Sequence, residues 1–201
     1  MRRCLMLLAF FAVGTVAANA QDDYPKAEIY GTYSLFVADI DVLDNESLHG
    51  WGIGAQGNLN NWFGVVGEYS AGHGASGPIN IASNGAVVVF PEVDLRVRTF
   101  LFGPRLSYRT KPVTVFGHFL LGGANLKIEH EPTGFSTGNT EFAMAVGGGI
   151  DVNLGKRFAI RAAQFDYLPI HTDINDRVGG GGSSWAHNTR FQTGFVFKFG
   201  N

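Results

Sequence analysis

Six histidines are the residues of this sequence that most readily suggest metal binding or catalysis: His49, His73, His118, His130, His171 and His187. They show neither the H-x-x-x-H nor the H-E-x-x-H spacing that places two ligands on one helix face. His118 is expected to point inward near the middle of a strand, where a histidine more often hydrogen-bonds within a polar network than binds a metal. We therefore predict no metal site, no catalytic residue and no cofactor.

Two glycine motifs match the G-x-G-x-x-G pattern of dinucleotide-binding loops, GIGAQG at 52–57 and GHGASG at 72–77. That chemistry needs a strand that leads into a helix, because the helix N-terminus holds the pyrophosphate. No helical pattern follows either motif. The first lies inside an alternating strand and the second is predicted to be a loop, so we do not expect nucleotide binding.

Charged residues on the less apolar side of the alternating segments are better candidates for a functional site than the histidines or the glycine motifs. They are Glu28, Glu68, Arg105, Asp151, Arg161, Arg190 and Lys198. If that side is enclosed, opposite charges must lie close together, since an unpaired buried charge is costly. We predict that Glu68 pairs with Arg105 and that Asp151 pairs with Arg161. With His118, these pairs are predicted to form one network that blocks a continuous pore; a gated ion path through exchange of the pairs is the alternative.

The elements that would position these side chains are eight segments in which apolar and polar residues alternate, a pattern typical of β-strands. They cover residues 27–37, 50–59, 62–71, 97–108, 113–124, 142–152, 157–168 and 189–199. The pattern is weakest in the seventh segment, where Arg161 and Asp166 fall on opposite faces of a regular strand. A β-bulge is one explanation.

The connections between these segments alternate in length. Those after the second, fourth and sixth segments are short, and the others are long. Residues 75–91 and the glycine-rich stretch 179–185 are predicted to be flexible. The apolar run GAVVVF at 85–90 is expected either to extend a hairpin or to bind a partner.

The last segment carries a row of phenylalanines on one face: Phe191, Phe195, Phe197 and Phe199. A soluble sheet would bury this row in a core, whereas a membrane barrel would expose it to lipid. Short turns alternating with long loops, strands of about ten residues and nearly balanced enclosed charges favour the membrane barrel. A soluble β-sandwich or a lipocalin-like barrel is the alternative. In the barrel, this segment must pair with the first one, and Lys198 is expected to point towards Glu28.

The N-terminal residues have the order of a secretory signal peptide: Arg2 and Arg3, an apolar run, and small residues that end at Ala20. We expect residues 1–20 to be removed, together with the single cysteine, Cys4, leaving residues 21–201 as one barrel domain. The remaining 13 basic and 17 acidic residues offer no basic excess for nucleic acid. No later apolar run approaches the ~20 residues of a transmembrane helix.

Five stretches carry a family resemblance: FLFGPRLSYR (100–109), VFGHFLLGGANL (115–126), FAMAVGGGIDV (142–152), IRAAQFDYLP (160–169) and TGFVFKFG (193–200). With them the chain resembles the small outer-membrane β-barrels of the OmpA and OmpX type. The resemblance implies an all-β, eight-stranded, antiparallel, up-and-down transmembrane β-barrel in the bacterial outer membrane, with both termini in the periplasm. Aromatic residues near segment ends fit the interface girdles of such barrels: Tyr24, Trp51, Trp62, Tyr108, Tyr167 and Trp185.

The resemblance also implies a set of partners and a role. We expect a monomer in contact with outer-membrane lipid, assembled by the barrel-assembly machinery, and non-enzymatic, with a structural or surface-interaction role through its external loops. Family members typically end on an aromatic residue that the machinery reads, whereas here Gly200 and Asn201 follow Phe199. A narrow channel is the second hypothesis and an acyl-processing enzyme the third. The sequence identifies no surface ligand.

Overall fold

The computed structural model describes residues 24–40, 43–76, 79–83, 86–90, 93–130, 135–172 and 184–200. These residues form ten strands: β1 (Ala27–Ile40), β2 (Leu43–Asn58), β3 (Phe63–Ser76), β4 (Ile79–Ser83), β5 (Ala86–Phe90), β6 (Val93–Arg109), β7 (Val113–His130), β8 (Phe135–Asn153), β9 (Phe158–Thr172) and β10 (Ser184–Phe199). Within the described ranges, no helix is long and apolar enough to cross a membrane.

Eight of the strands close into a barrel in the order β1-β10-β9-β8-β7-β6-β3-β2. Every neighbouring pair is antiparallel, so the predicted fold class is confirmed. The closing contact joins the first strand to the last, with Ala27 opposite Phe199 and Leu35 opposite Phe191. Closure leaves no barrel strand with an unpaired edge, which a membrane-spanning sheet requires.

The two ends of the barrel differ. The turn end, as we call it, carries the start of β1, the end of β10 and three short turns, whereas the loop end carries the remaining connections. Local hydrogen bonds form the turns: the Asn60 side chain accepts from the backbone N–H groups of Trp62 and Phe63, and the Thr110 hydroxyl donates to the Val113 carbonyl. Asparagine and threonine favour turns because their side chains bond to nearby backbone groups.

The strands continue beyond the predicted segments at the loop end. β3 and β6 stay paired as far as Ser76 and Val93. The prediction that the second glycine motif is a loop is therefore wrong for Gly72–Ser76, because an antiparallel partner satisfies the backbone there. Within the stretch 75–91, β4 and β5 pair antiparallel, so the expectation that the apolar run extends a hairpin is confirmed for Ala86–Phe90. Of the predicted flexible stretch 179–185, residues 179–183 lie outside the described residues.

A β-bulge interrupts β9. Arg161 and Ala163 face consecutive residues of β8, so Ala162 is an extra residue with no partner there. The bulge shifts the alternation by one position and turns both Arg161 and Asp166 inward. The explanation suggested for the irregular seventh segment is therefore confirmed.

The outer surface of the barrel is apolar, and the inner face is mixed. Phe195 is 74% exposed, although it belongs to a long strand with a partner on each side. The exposed aromatic rings include Trp51, Trp62, Tyr108, Tyr167 and Trp185. Exposure of so many large rings together with burial of arginines reverses the usual distribution in soluble proteins. An apolar outer face and a charged inner face are therefore those of a barrel whose outer surface does not contact water.

Candidate functional site in the barrel interior

All eight residues predicted for the interior are buried inside the barrel: Glu28, Glu68, Arg105, His118, Asp151, Arg161, Arg190 and Lys198. The four phenylalanines of the closing strand lie on the outer face, where Phe191 packs on Phe165 and Phe197 packs on Phe158. Each inward residue is placed by the two-residue period of its strand. The interior groups form three layers along the barrel axis.

The first layer lies at the turn end. Arg109 extends its guanidinium back into the barrel mouth, where Nη2 is 2.8 Å from Glu28 Oε1 and 2.9 Å from Asn58 Oδ1. Its Nη1 donates to the Asn61 carbonyl. Lys198 is opposite Glu28 in the backbone register, but its ammonium donates to Asn153 Oδ1. Lys198 therefore points inward beside Glu28, as expected, and interacts with its carboxylate electrostatically, whereas the direct hydrogen bond to Glu28 comes from Arg109.

The second layer is a carboxylate held between two arginines. Asp151 accepts from Arg105 Nη2 at 3.0 Å and from Arg161 Nε at 2.9 Å. The two guanidiniums also lie over aromatic rings, with Arg105 3.6 Å from the Phe116 ring centre and Arg161 4.0 Å from the Tyr30 ring centre. Cation–π contacts of this kind are strongest where water is excluded. They help to accommodate two like charges around one acid.

The third layer centres on Asp166. This carboxylate accepts from His118 Nε2 at 2.8 Å, from Gln164 Nε2 at 2.9 Å and from Arg190 Nη2 at 2.6 Å. The same Arg190 nitrogen lies 2.6 Å from Glu68 Oε1, and Nη1 donates to the Ser70 hydroxyl. Each charged group in the layer therefore has an opposite charge within contact distance, which offsets its loss of hydration.

Two side chains join the second layer to the third. Gln164 accepts from Arg161 Nη1 at 2.8 Å through its carbonyl oxygen and donates to Asp166 through its amide nitrogen. Tyr30 donates its hydroxyl to Glu68 Oε2 at 3.0 Å while its ring supports Arg161. The polar groups therefore form a continuous network across the middle of the lumen.

The predicted Glu68–Arg105 pair does not form. Glu68 lies opposite Leu101 on β6, whereas Arg105 lies opposite Gly64. Four residue steps along an extended strand separate the two positions, a distance of about 13 Å. Asp151 and Arg161, by contrast, are direct backbone partners on β8 and β9 and do form the expected contact. Glu68 instead meets Arg190 across the lumen.

Glycines on the inner face make room for the network. A Cβ atom on Gly54 would lie 2.2 Å from the Tyr30 ring, and one on Gly147 would lie 2.1 Å from Asp166 Oδ1. Gly54 belongs to the first G-x-G-x-x-G motif, which continues along β2 and is not followed by a helix. Packing in the lumen therefore explains Gly54, as expected for the inward-facing glycines of this motif, whereas Gly57 faces outward into open space.

Apolar side chains fill the lumen on the loop-end side of the network. The buried residues there include Phe36, Leu48, Leu168, Ile170 and Ala143. On β9, Leu168 and Ile170 lie two and four positions beyond Asp166, and Phe36 is the backbone partner of Arg190, with its ring 5.7 Å from that guanidinium. The charged network is therefore bounded on this side by an apolar layer.

Sequence reasoning missed three participants in the network. Regular alternation without the bulge puts Asp166 on the outer face, Arg109 begins a predicted turn, and Gln164 carries no charge. One signal was available for the first of them. The predicted interior set held more bases than acids, so a further enclosed acid was needed for charge balance.

Several described histidines outside the network contact aromatic side chains. Among the described residues, no three His, Cys, Asp or Glu side chains lie close enough to hold a metal ion. His49 bonds to the Tyr33 hydroxyl and His187 to the Tyr167 hydroxyl, both on the outer face. His130 has a described backbone only.

Comparison with known proteins identifies the family. The sequence model described as "Outer membrane protein beta-barrel domain" matches residues 6–199, and the chain belongs to this family. It is a protein of the bacterial outer membrane. No curated protein sequence is significantly similar to the chain.

Solved structures with the same fold include three small outer-membrane barrels. Neisserial surface protein A (NspA) superposes with a TM-score of 0.59 at 11% identity, covering 86% of this chain and 96% of that chain. OprG from Pseudomonas aeruginosa gives 0.55 at 12% identity, covering 91% and 100%. Ail, the attachment invasion locus protein of Yersinia pestis, solved with the heparin analogue sucrose octasulfate, gives 0.52 at 17% identity, covering 89% and 100%. These similarities show a common fold.

Proposed function

We propose that the chain is a non-enzymatic outer-membrane barrel that acts as a closed, rigid platform for its external loops. In this proposal the turn end faces the periplasm and the loop end faces outward, which is the usual arrangement of short turns and long loops. The observation that carries the proposal is the continuous network from Arg105 through Asp151, Arg161, Gln164 and Asp166 to Arg190. It fills the lumen where a channel would need water.

Planar-bilayer conductance of refolded protein tests the closed interior. We expect the wild-type protein to show no steady large open level, because the network and the apolar layer both occupy the lumen. Arg105→Ala should raise the conductance, since it removes one of the two guanidiniums that hold Asp151. Arg157→Ala, at an exposed position of the turn end, is the matched control and should leave the conductance unchanged. A steady large open level in the wild-type protein would overturn the proposal.

A narrow channel is the second candidate function, and one observation favours it. Arg190 contacts two carboxylates with the same nitrogen, Glu68 and Asp166, each at 2.6 Å. Movement of this guanidinium towards either acid would change which side of the lumen is neutralised. Such a path predicts brief, small conductance steps in the wild-type protein that Glu68→Gln changes in frequency. If the wild-type protein is silent under all voltages, this candidate is rejected.

An acyl-processing enzyme is less well supported. A hydrolase of this kind needs a serine and a histidine close together on the lipid-facing side, with a carboxylate that orients the base. Among the described side chains, Ser34, Ser70 and Ser107 are buried in the lumen. The outward histidines His49 and His187 contact tyrosines. Release of fatty acid from outer-membrane lipid by the purified protein would contradict the non-enzymatic proposal.

The proposed partners follow from the outer surface. The outward row of Phe191, Phe195, Phe197 and Phe199 contacts outer-membrane lipid, and the barrel-assembly machinery inserts the chain, with β10 closing onto β1. The barrel is proposed to be monomeric, because closure satisfies every strand without a second copy. Sedimentation in detergent tests this point, and a stable dimer would contradict it.

A further inference from the structure

A cluster of nitrogen-bearing side chains lies on the outer face of three neighbouring strands. His49 on β2, His73 on β3 and Arg96 on β6 are successive backbone partners, so their outward side chains stand in one row. Arg98 lies two residues nearer the turn end, in the row that begins with Trp51. All four side chains are exposed. We refer to His49, His73, Arg96 and Arg98 as the basic cluster.

An apolar groove of about 650 Å³ lies on the same strands, immediately on the turn-end side of the basic cluster. Its lining includes Ile29, Ile53, Ala55, Tyr69, Phe100 and Phe102. The groove exists because the rings of Tyr69 and Phe102 stand beside Ala55, which has only a methyl group, and Gly67, which has no side chain. A Cβ atom on Gly67 would meet only the Phe102 ring, at 3.8 Å. The outer surface therefore has an apolar depression directly under a group of bases.

The height of the basic cluster matches the edge of a membrane. Nine residue steps along β2 separate His49 from Asn58 at the turn end. At about 3.3 Å per residue and a strand tilt of about 40°, they rise by about 23 Å. The apolar band of an outer-membrane barrel is about 25 Å tall. The basic cluster therefore lies where the headgroups of the outer leaflet begin, and the apolar groove lies within the hydrocarbon.

We propose that β2, β3 and β6 form a binding site for one phosphorylated acyl lipid of the outer leaflet. Its phosphate contacts the basic cluster, because guanidinium groups recognise phosphate oxygens through paired hydrogen bonds. Its acyl chain lies in the apolar groove against Phe102 and over Gly67. The phosphate thus lies against basic side chains and the acyl chain against apolar ones. Along β6, Arg98 of the basic cluster is two positions from Phe100 of the groove. This inference goes beyond the platform role proposed above.

Native mass spectrometry of the refolded protein in detergent tests the site with a matched pair of probes, phosphatidic acid and diacylglycerol. The two differ only in the phosphate, so we expect one bound phosphatidic acid and much weaker retention of diacylglycerol. Arg96→Gln combined with Arg98→Gln should weaken phosphatidic acid binding about 30-fold, since each basic residue near an anionic lipid contributes about fivefold. Inorganic phosphate at millimolar concentration should displace little of the lipid, because it cannot use the groove.

The groove is tested separately by filling it. Gly67→Leu should weaken phosphatidic acid binding about threefold, because the acyl chain loses contacts along one side. Gly57→Leu is the matched control, since Gly57 faces outward, has open space around its Cβ position and does not line the groove. Arg157→Gln provides the corresponding control for charge. Faster gel migration of unboiled samples confirms that each variant has folded. Equal retention of the two lipids, equal affinity of the wild-type and double-arginine proteins, or a lipid-free dimer would overturn the proposal.

Discussion

The lumen of this barrel is filled in two different ways along its axis. Towards the turn end and at mid-height, it holds arginines, carboxylates and amides that contact one another, such as Arg161 with Asp151. Towards the loop end, it holds Phe36, Leu168 and Ile170. A charged group inside the barrel is stable only if its partner stays in place, because its hydration has been lost. An apolar group loses only packing and apolar burial when a neighbour is removed. The two regions should therefore respond differently to substitution.

The largest effect is expected for removal of the central acid of the third layer. Asp166→Ala leaves Arg190 and His118 buried without their shared carboxylate, and loss of one partner from a buried pair costs about 3–5 kcal/mol. Urea unfolding in lipid vesicles, followed by tryptophan fluorescence, should show this loss of stability and bilayer recordings should show a rise in conductance. Arg157→Ala, an exposed charge, should change stability by less than about 0.5 kcal/mol. Equal losses of stability in the Asp166→Ala and Arg157→Ala variants would show that the buried charges depend on their partners no more than an exposed charge does.

In the apolar layer, a smaller loss of stability is expected, without a rise in conductance. Leu168→Ala removes a completely buried side chain and should cost about 3 kcal/mol, within the usual range for leucine truncation in a core. The polar network keeps all its partners, so the conductance should remain at the wild-type level. A conductance rise as large as that of the Asp166 variant would show that the apolar layer, and not the network, closes the lumen.

Steric room for the network can be tested with a single methyl group. Gly147→Ala places Cβ 2.1 Å from Asp166 Oδ1 and 2.2 Å from the Phe165 carbonyl oxygen, so the strand must shift. Overpacking of this kind costs about 1–3 kcal/mol. Gly57→Ala, whose Cβ would meet nothing within 4 Å, is the matched control and should have a much smaller effect. Equal stability of the two variants in urea would mean that Asp166 can move without cost.

The smallest effect is expected outside the barrel. β4 and β5 pair with each other in a separate sheet and with no barrel strand. Replacement of residues 77–92 by a short Gly-Ser link should therefore change barrel stability by less than about 0.5 kcal/mol, as is usual away from packed regions. The heat-modifiable gel shift should persist. Failure of this variant to fold would show that the hairpin supports the barrel and does not merely extend from it.

Much of the fold could be predicted because alternation leaves a direct record in the sequence. Residues such as Phe100 and Phe102 on one face of β6, with Arg105 on the other, define the strand and its two sides. The predicted segment boundaries were short at the loop end, because 72–76 looks polar and glycine-rich while its backbone is paired in β3. Hydrogen bonding between distant strands decides such boundaries, and a local pattern does not record it.

The sequence predicts which residues line the lumen, but it does not predict which of them contact one another. Alternation places Glu68, Arg105 and Arg190 inside the barrel, and all three are buried there. Their partners depend on how far each strand is staggered against the next, so Glu68 meets Arg190 and not Arg105. A single extra residue at Ala162 brings Asp166 into the lumen. No local feature of the sequence gives the stagger between strands.

The sequence by itself determined that this chain forms a closed antiparallel barrel with an apolar outside and a charged inside. The physical reason is that a two-residue period assigns each side chain to a face, and that enclosed charges must balance. Only the tertiary structure decided which charges meet, that an apolar layer bounds the network, and that the basic cluster stands above the apolar groove on β2, β3 and β6. These features arise from the register of strands that are remote in sequence and adjacent only in the closed barrel.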